Sequence, residues 1–178
     1  IPKKIKHRVV FITEGMFKAQ KIAETYGCIA LTVQGITTWR GIKSTIEDLE
    51  KSEVVKEVFG NEFSVKHIWT AYDADMCFNP NVFEQARIMT NNLLENFPDK
   101  RFNYVYWDVE FGKGIDDAIK AGHKSEIKKY DKCEWDKSYL NVIEIALESE
   151  GIDSIDDMPK LVFKKYFDKH MDLESCRG

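Results

Sequence analysis

The chain has 178 residues, 43% of them hydrophobic and 31% charged, and carries a formal net charge of −4. That length holds one domain with a sizeable core and room for a small appendage. No apolar run approaches the roughly 20 residues that span a bilayer, and a negative balance argues against a protein that coats nucleic acid through bulk charge.

The charge is uneven. From Glu134 onward 11 acids stand against 6 Lys or Arg, so the body before it is nearly neutral and leaves room for a positive rim facing phosphates. Cys28, Cys77, Cys133 and Cys176 form no C-x-x-C pair; neither a zinc site nor a disulfide framework is indicated, and the expected compartment is a reducing cytoplasm. The opening residues are basic and lack the apolar stretch of an export signal. A start at Ile1 rather than Met hints at a piece of a longer protein.

Residues 8–13 (RVVFIT) read as a short buried strand ending at Glu14-Gly15. Residues 17–26 follow with Phe17, Ile22 and Ala23 at helical spacing, and Gly27 is a natural stop. Residues 28–33 (CIALTV) are a second strand, ending at Gln34-Gly35. Strand, helix and strand in so short a span make a βαβ unit with parallel strands. Thr38 to Gly41 reads as a loop, and residues 42–59 as an amphipathic helix that breaks near Lys51-Ser52.

The stretch 64–76 (SVKHIWTAYDADM) organises the rest. Its first half is β-branched and aromatic, as a buried strand requires, and it ends in Asp73 and Asp75. On an extended chain, residues two apart point to the same side. Two carboxylates so placed cost stability unless a cation sits between them, and Mg²⁺ prefers oxygen ligands. A turn that happens to hold two aspartates is the plainer alternative. Pro80 then suits the first turn of a helix over residues 82–97, residues 102–108 (FNYVYWD) read as a fourth strand, and Gly112 to Asp117 lead into a short helix over 118–121 that Gly122 stops.

Strands alternating with helices predict an open α/β domain over residues 1–122, with a mostly parallel sheet of about four strands and helices on both faces. Ligands in such sheets bind beyond the carboxyl ends of the strands, where Glu14, Gln34, Asp73, Asp75 and Asp108 fall. Beyond Gly122 the lysines 124, 128, 129 and 132 fall partly on one helical face, and helices over 139–147 and 161–167 form a C-terminal extension over 123–178. This extension either covers one side of the sheet or leads to a further domain. The lysine group from Lys120 to Lys132 reads as a solvated face, with strand binding as the alternative.

Three motifs in order, TEGMFKA (13–19), AYDADMCFNPNV (71–82) and GKGIDDAI (112–119), resemble the toprim domain. More narrowly they resemble a toprim-like family, formerly of unknown function, found in phage and plasmid replication proteins and primase-helicases. The resemblance covers roughly residues 8–122 and implies Mg²⁺- or Mn²⁺-dependent phosphoryl transfer on nucleic acid, as in a primase-related replication domain. Glu14 would move a proton or share in metal binding, and Asp73 and Asp75 would hold the ion. Asp116 and Asp117 would complete the site or bind a second ion, although acids there also suit a helix start. Two departures stand out: Lys18 occupies a position that is acidic in bacterial primases, and Gly114 replaces the first acid of the distal motif.

Lys18 and Lys113 read first as surface lysines, with a phosphate contact as the alternative. Trp39 and Arg40 suit base stacking, against a tryptophan lid on the core. The expected partners are DNA or RNA, nucleotides, and a helicase or polymerase-like domain in the same or another chain, with no membrane. Rival readings are a toprim nuclease and a non-catalytic module that binds nucleic acid or docks to a helicase. A nucleotide-sugar transferase would leave the early Glu-Gly without a role.

Overall fold

In the computed structural model, which describes residues 8–33 and 39–177, the first apolar run forms β1 (Val9–Glu14). Val10 and Ile12 enter one core layer, Val9 and Phe11 the other, as strand alternation dictates. A strand buried on both faces belongs inside a parallel sheet. β1 accordingly pairs in parallel with β2 (Ile29–Val33) on one side and β3 (His67–Ala71) on the other. β4 (Arg101–Tyr106) continues the sheet in parallel beyond β3.

The sheet has five strands rather than four, in the order β2-β1-β3-β4-β5. β5 (Lys128–Asp131) runs antiparallel to β4, so Lys128 and Lys129 lie on an edge strand and not on a helix. Tyr130 is the residue of β5 that enters the core, 6% exposed. Lysines on an edge strand discourage pairing with another chain, which explains a strand so rich in charge.

Helices cover both faces, as expected. α1 (Met16–Tyr26) and α5 (Ile115–Lys120) lie over the layer built on Phe11, Ile22, Trp69 and Ala118. On the other face pack α2 (Trp39–Lys51), α3 (Glu53–Phe59), α4 (Pro80–Asn96), α6 (Lys132–Glu150) and α7 (Lys160–His170). The local signals act where the sequence places them. Gly27 ends α1 in the left-handed region at φ 68°. The Ser52 hydroxyl accepts a hydrogen bond from the Val55 amide and splits α2 from α3. Pro80 opens α4. Trp39 and Arg40, read as loop, belong instead to the first turn of α2, because Ile42 and Ile46 bury one face of the helix and offset the cost of Gly41 in its first turn. The side chain of Trp39, and Gln34 altogether, lie outside the described residues.

α6 starts earlier than its apolar stripe suggests. Asp131 caps it by accepting from the Glu134 amide at 3.0 Å. Trp135, Tyr139, Val142 and Ala146 descend its buried face, each fully enclosed, and Tyr139 stacks on Phe83 of α4 at 3.9 Å. One buried polar network ties α6 to the sheet. Lys132 donates to Asn91 and to Asp136, and Asp136 accepts from the Tyr104 hydroxyl at 2.9 Å. The segment after Gly122 therefore contributes a strand to the sheet and two helices to its larger core layer.

Candidate functional site

The strand order reverses at β1: β2 lies on one side of it and β3 on the other. At such a switch point the connections leave in opposite directions and open a crevice beyond the carboxyl ends. Glu14 is the last residue of β1. Thr13, just before it, is in register with Ala71 and donates its hydroxyl to the Ala71 carbonyl at 2.8 Å. This locks the two strand ends side by side. Gly15 then turns at φ 95°, a conformation that a side chain would strain, and α1 starts at once. The Glu-Gly pair thus means an acid at the rim followed by the residue that lets the chain turn away from it.

Asp73 and Asp75 reach the same crevice by another route than strand alternation. β3 ends at Ala71, and residues 74–77 form a 3-10 turn. The Ala74 amide donates to the Lys113 carbonyl at 2.7 Å, so the distal motif anchors this turn through its backbone. The carboxyl of Glu14 feels both aspartates. Crowding by the protein raises its proton affinity first, Asp73 and Asp75 raise it further, and Lys18 partly opposes them.

Lys18 stands inside the cluster. Its ammonium pairs with Asp73 Oδ1 at 2.6 Å. Burial works against the lysine's charge, yet the hydrogen bond to Asp73 and the fields of Asp73, Asp116 and Glu14 outweigh it and raise its pKa. The reading of Lys18 as a plain surface lysine gives way here: one turn into α1, beside the switch point, its stem reaches across to the end of β3.

The distal motif divides. Gly112 turns at φ 144°, and a Cβ there would stand 2.6 Å from the Ala118 amide nitrogen. The Trp107 indole N–H donates to its carbonyl at 2.7 Å. Gly114 is buried, and Lys113 exposes its side chain. Asp116 and Asp117 fall in the first turn of α5. Asp116 Oδ1 is buried without a hydrogen-bond partner among the described residues, while Asp117 is exposed and borders a shallow groove with Phe17, Gln20 and Lys120. Asp116 joins the cluster through Lys18. Asp108 does not: it caps a 3-10 turn by accepting from the Glu110 amide.

Among the described residues, no three His, Cys, Asp or Glu side chains are gathered closely enough to hold a metal ion by themselves. The donor chemistry nonetheless suits a hard cation. The carboxylates of Glu14 and Asp75 accept no hydrogen bond from the described residues, although the Asp75 backbone carbonyl accepts from the Phe78 amide at 3.1 Å, and Asp116 carries an orphaned oxygen. Mg²⁺ is commonly held by one or two carboxylates together with substrate phosphates, without an all-protein cage.

A second concavity, of about 700 Å³, lies away from this rim, with Phe11, Tyr26 and Trp69 among its walls. Lys124 sits over the Tyr26 ring and Lys129 over the Trp69 ring, so these lysines cover aromatic surface, which their charge pattern alone did not signal.

The fold is an open α/β domain in which Glu14 lies at the switch point of the sheet, within the electrostatic reach of Asp73 and Asp75. The chain belongs to the family described as a domain of unknown function, DUF3854, whose model matches residues 3–126. The match ends before β5, α6 and α7. No curated protein and no solved structure matches the chain.

Proposed function

We propose that this is a toprim-type domain for Mg²⁺- or Mn²⁺-dependent phosphoryl transfer on nucleic acid, from a primase-related replication protein of a phage or plasmid. The observation that carries the reading is the meeting of Glu14 with Asp73 and Asp75 at adjacent strand ends, at the point where the strand order reverses. The Glu-Gly, Asp-x-Asp and distal Gly-Lys motifs support it by their order along the chain. Glu14 and Asp75 would hold the ion, with Asp73 at its edge. What the ion supplies is polarisation of a phosphoryl oxygen and neutralisation of developing charge. Glu14, whose proton affinity is raised, suits the transfer of a proton to or from an oxygen of the reacting group. Lys113, whose side chain is exposed, would meet a backbone phosphate in this reading. DNA or RNA and nucleotides are the substrates in this reading, and a helicase or polymerase-like domain is the partner.

The ion pair between Lys18 and Asp73 favours a second reading, a non-catalytic module in which the acids are structural. Nucleotide incorporation on single-stranded templates and cleavage of plasmid and single-stranded DNA, each with Mg²⁺ and with Mn²⁺, separate the two. Synthesis lost in Glu14→Gln and Asp75→Asn supports the transferase, and cleavage lost in the same variants supports the nuclease form. Neither product with either metal, in protein that still binds DNA, leaves the module.

A further inference from the structure

The concavity of about 700 Å³ away from the carboxylate rim has an aromatic floor and a basic wall. The floor follows from strand register. Phe11 and Trp69 are partners on β1 and β3, so their side chains share one face of the sheet, and the rings meet edge to face at 5.4 Å. Tyr26, the last residue of α1, stacks on Phe11, also at 5.4 Å. Lys129, opposite Val105 on the edge strand, reaches over the Trp69 ring at 5.6 Å, and Lys124 lies over the Tyr26 ring at 5.2 Å. Lys128 and Arg177 continue the wall, and no acid among the described residues lines it. In a chain with more acids than bases, that is a clear separation of charge. Among the described residues none of these four cations has a carboxylate partner, whereas Lys18, Lys43, Lys100, Lys132 and Lys164 each have one. The Trp69 indole N–H is buried and likewise lacks an acceptor among the described residues. His67, two residues before Trp69 on the same face of β3, is held below the ordinary imidazole range by burial and then by Lys129, Arg101 and Arg8, so the positive field extends along the strand.

We propose that this concavity is a binding site for single-stranded nucleic acid, with bases laid on the Tyr26 and Trp69 rings and phosphates held by Lys124, Lys128, Lys129 and Arg177. A lone ammonium over an aromatic ring near solvent is weakly held. Lys124 and Lys129 can therefore swing out to phosphates and uncover ring faces on which unpaired bases stack. The two ammoniums stand over different rings, both of which touch Phe11. Cations held apart in this way match successive phosphates of a strand, where a free nucleotide offers its charge at one end. A duplex keeps its bases stacked on one another and offers none to the floor. The local field, rather than the net charge of the chain, draws the strand in. The site lies apart from the carboxylate rim and does not need the metal-dependent reading to hold.

The test is the binding of a fluorescent oligothymidylate of about 12 nucleotides, a length within the span of such sites, to the full chain in EDTA, read by anisotropy as salt is raised. Wild type should bind the strand. Lys124→Gln and Lys129→Gln should each weaken binding several-fold and lower the slope of log affinity against log salt by about 0.7, while Lys129→Arg keeps the wild-type affinity. A strand with the same phosphates but no bases should bind wild type about tenfold more weakly. Lys160→Gln removes the same charge from an exposed position on α7, over the opposite face of the sheet, and should leave binding unchanged. Equal losses in Lys160→Gln and Lys129→Gln, or equally good competition by polyglutamate, mean attraction to charge alone and overturn the site. So does an affinity that ignores the missing bases. Binding that falls in Lys113→Gln and is unchanged in both concavity variants puts the strand at the carboxylate rim, which overturns this site and leaves the metal-dependent reading standing. No binding by wild type overturns it as well, and the incorporation and cleavage assays above then judge that reading separately.

Discussion

Lys132→Met isolates the polar network that seats α6 on the sheet. Lys132 and Asp136 are 3% and 8% exposed, and the lysine also donates to Asn91 at 2.6 Å. Removing one member of a buried ion pair leaves the other charge uncompensated and costs about 3–5 kcal/mol. In a chain of this size that lowers the thermal midpoint by about 10 °C. The pH dependence gives the loss a signature. Burial already raises the proton affinity of Asp136, and the hydrogen bonds from Lys132 and Tyr104 hold it down. Without Lys132 the folded state binds that proton more readily than the unfolded chain does, so stability falls as pH rises from the ordinary carboxylate range toward the raised folded value. The deficit should therefore be larger at pH 8 than at pH 5 in urea unfolding followed by tryptophan fluorescence. The double variant Lys132→Met/Asp136→Leu removes both charges and should recover most of the loss. A deficit under about 1 kcal/mol, equal at both pH values, would refute the claim that this pair is enclosed and that α6 is seated through it.

Glu14→Gln removes a carboxylate whose folded-state proton affinity is raised. Its charge costs stability above its folded pKa and nothing below the unfolded value. The variant should gain about 0.5 kcal/mol at pH 7, a figure reduced for solvent screening, and nothing at pH 3.5, as read from paired urea curves without metal. Gly112→Ala sets a Cβ against the Ala118 amide at a φ that side chains rarely adopt; it should cost about 2 kcal/mol or more in the same assay. Deleting residues 127–178 removes the edge strand and the helices that carry Trp135, Tyr139 and Phe163, although the family match ends at residue 126. The fragment should lose its near-ultraviolet circular dichroism and bind a hydrophobic dye.

Much of the sheet was legible because its inner strands are largely buried and rich in apolar, β-branched and aromatic residues, as in the unbroken run 9–12. Gly27, Ser52 and Pro80 marked their boundaries through backbone chemistry that works without tertiary context. β5 was not legible. Three of its four residues are charged, and only the open edge of β4 turns such a tetrapeptide into a strand. The start of α6 was hidden in the same charged run, since Lys132 and Asp136 look solvated until the network with Tyr104 encloses them.

At the rim, the acids were found for a reason that only partly applies. Alternation along an extended chain does not place Asp75, because the chain has already entered a 3-10 turn. What unites Glu14 with the aspartates is topology: β1 and β3 are neighbours, and a strand-end residue keeps its neighbour whatever the next turn does. The same topology explains why Lys18 escaped notice as a partner. A lysine on the first turn of a helix has solvent on most sides, and only the nearness of β3 to the start of α1 brings an aspartate within its reach. Gly114 held the missing clue. It occupies an extended, buried position that glycine's backbone freedom does not explain, so the absent side chain must be making room for something. That something is first the Asp116 carboxylate, 2.5 Å from a Cβ built there, and then the stem of Lys18, at 3.0 Å.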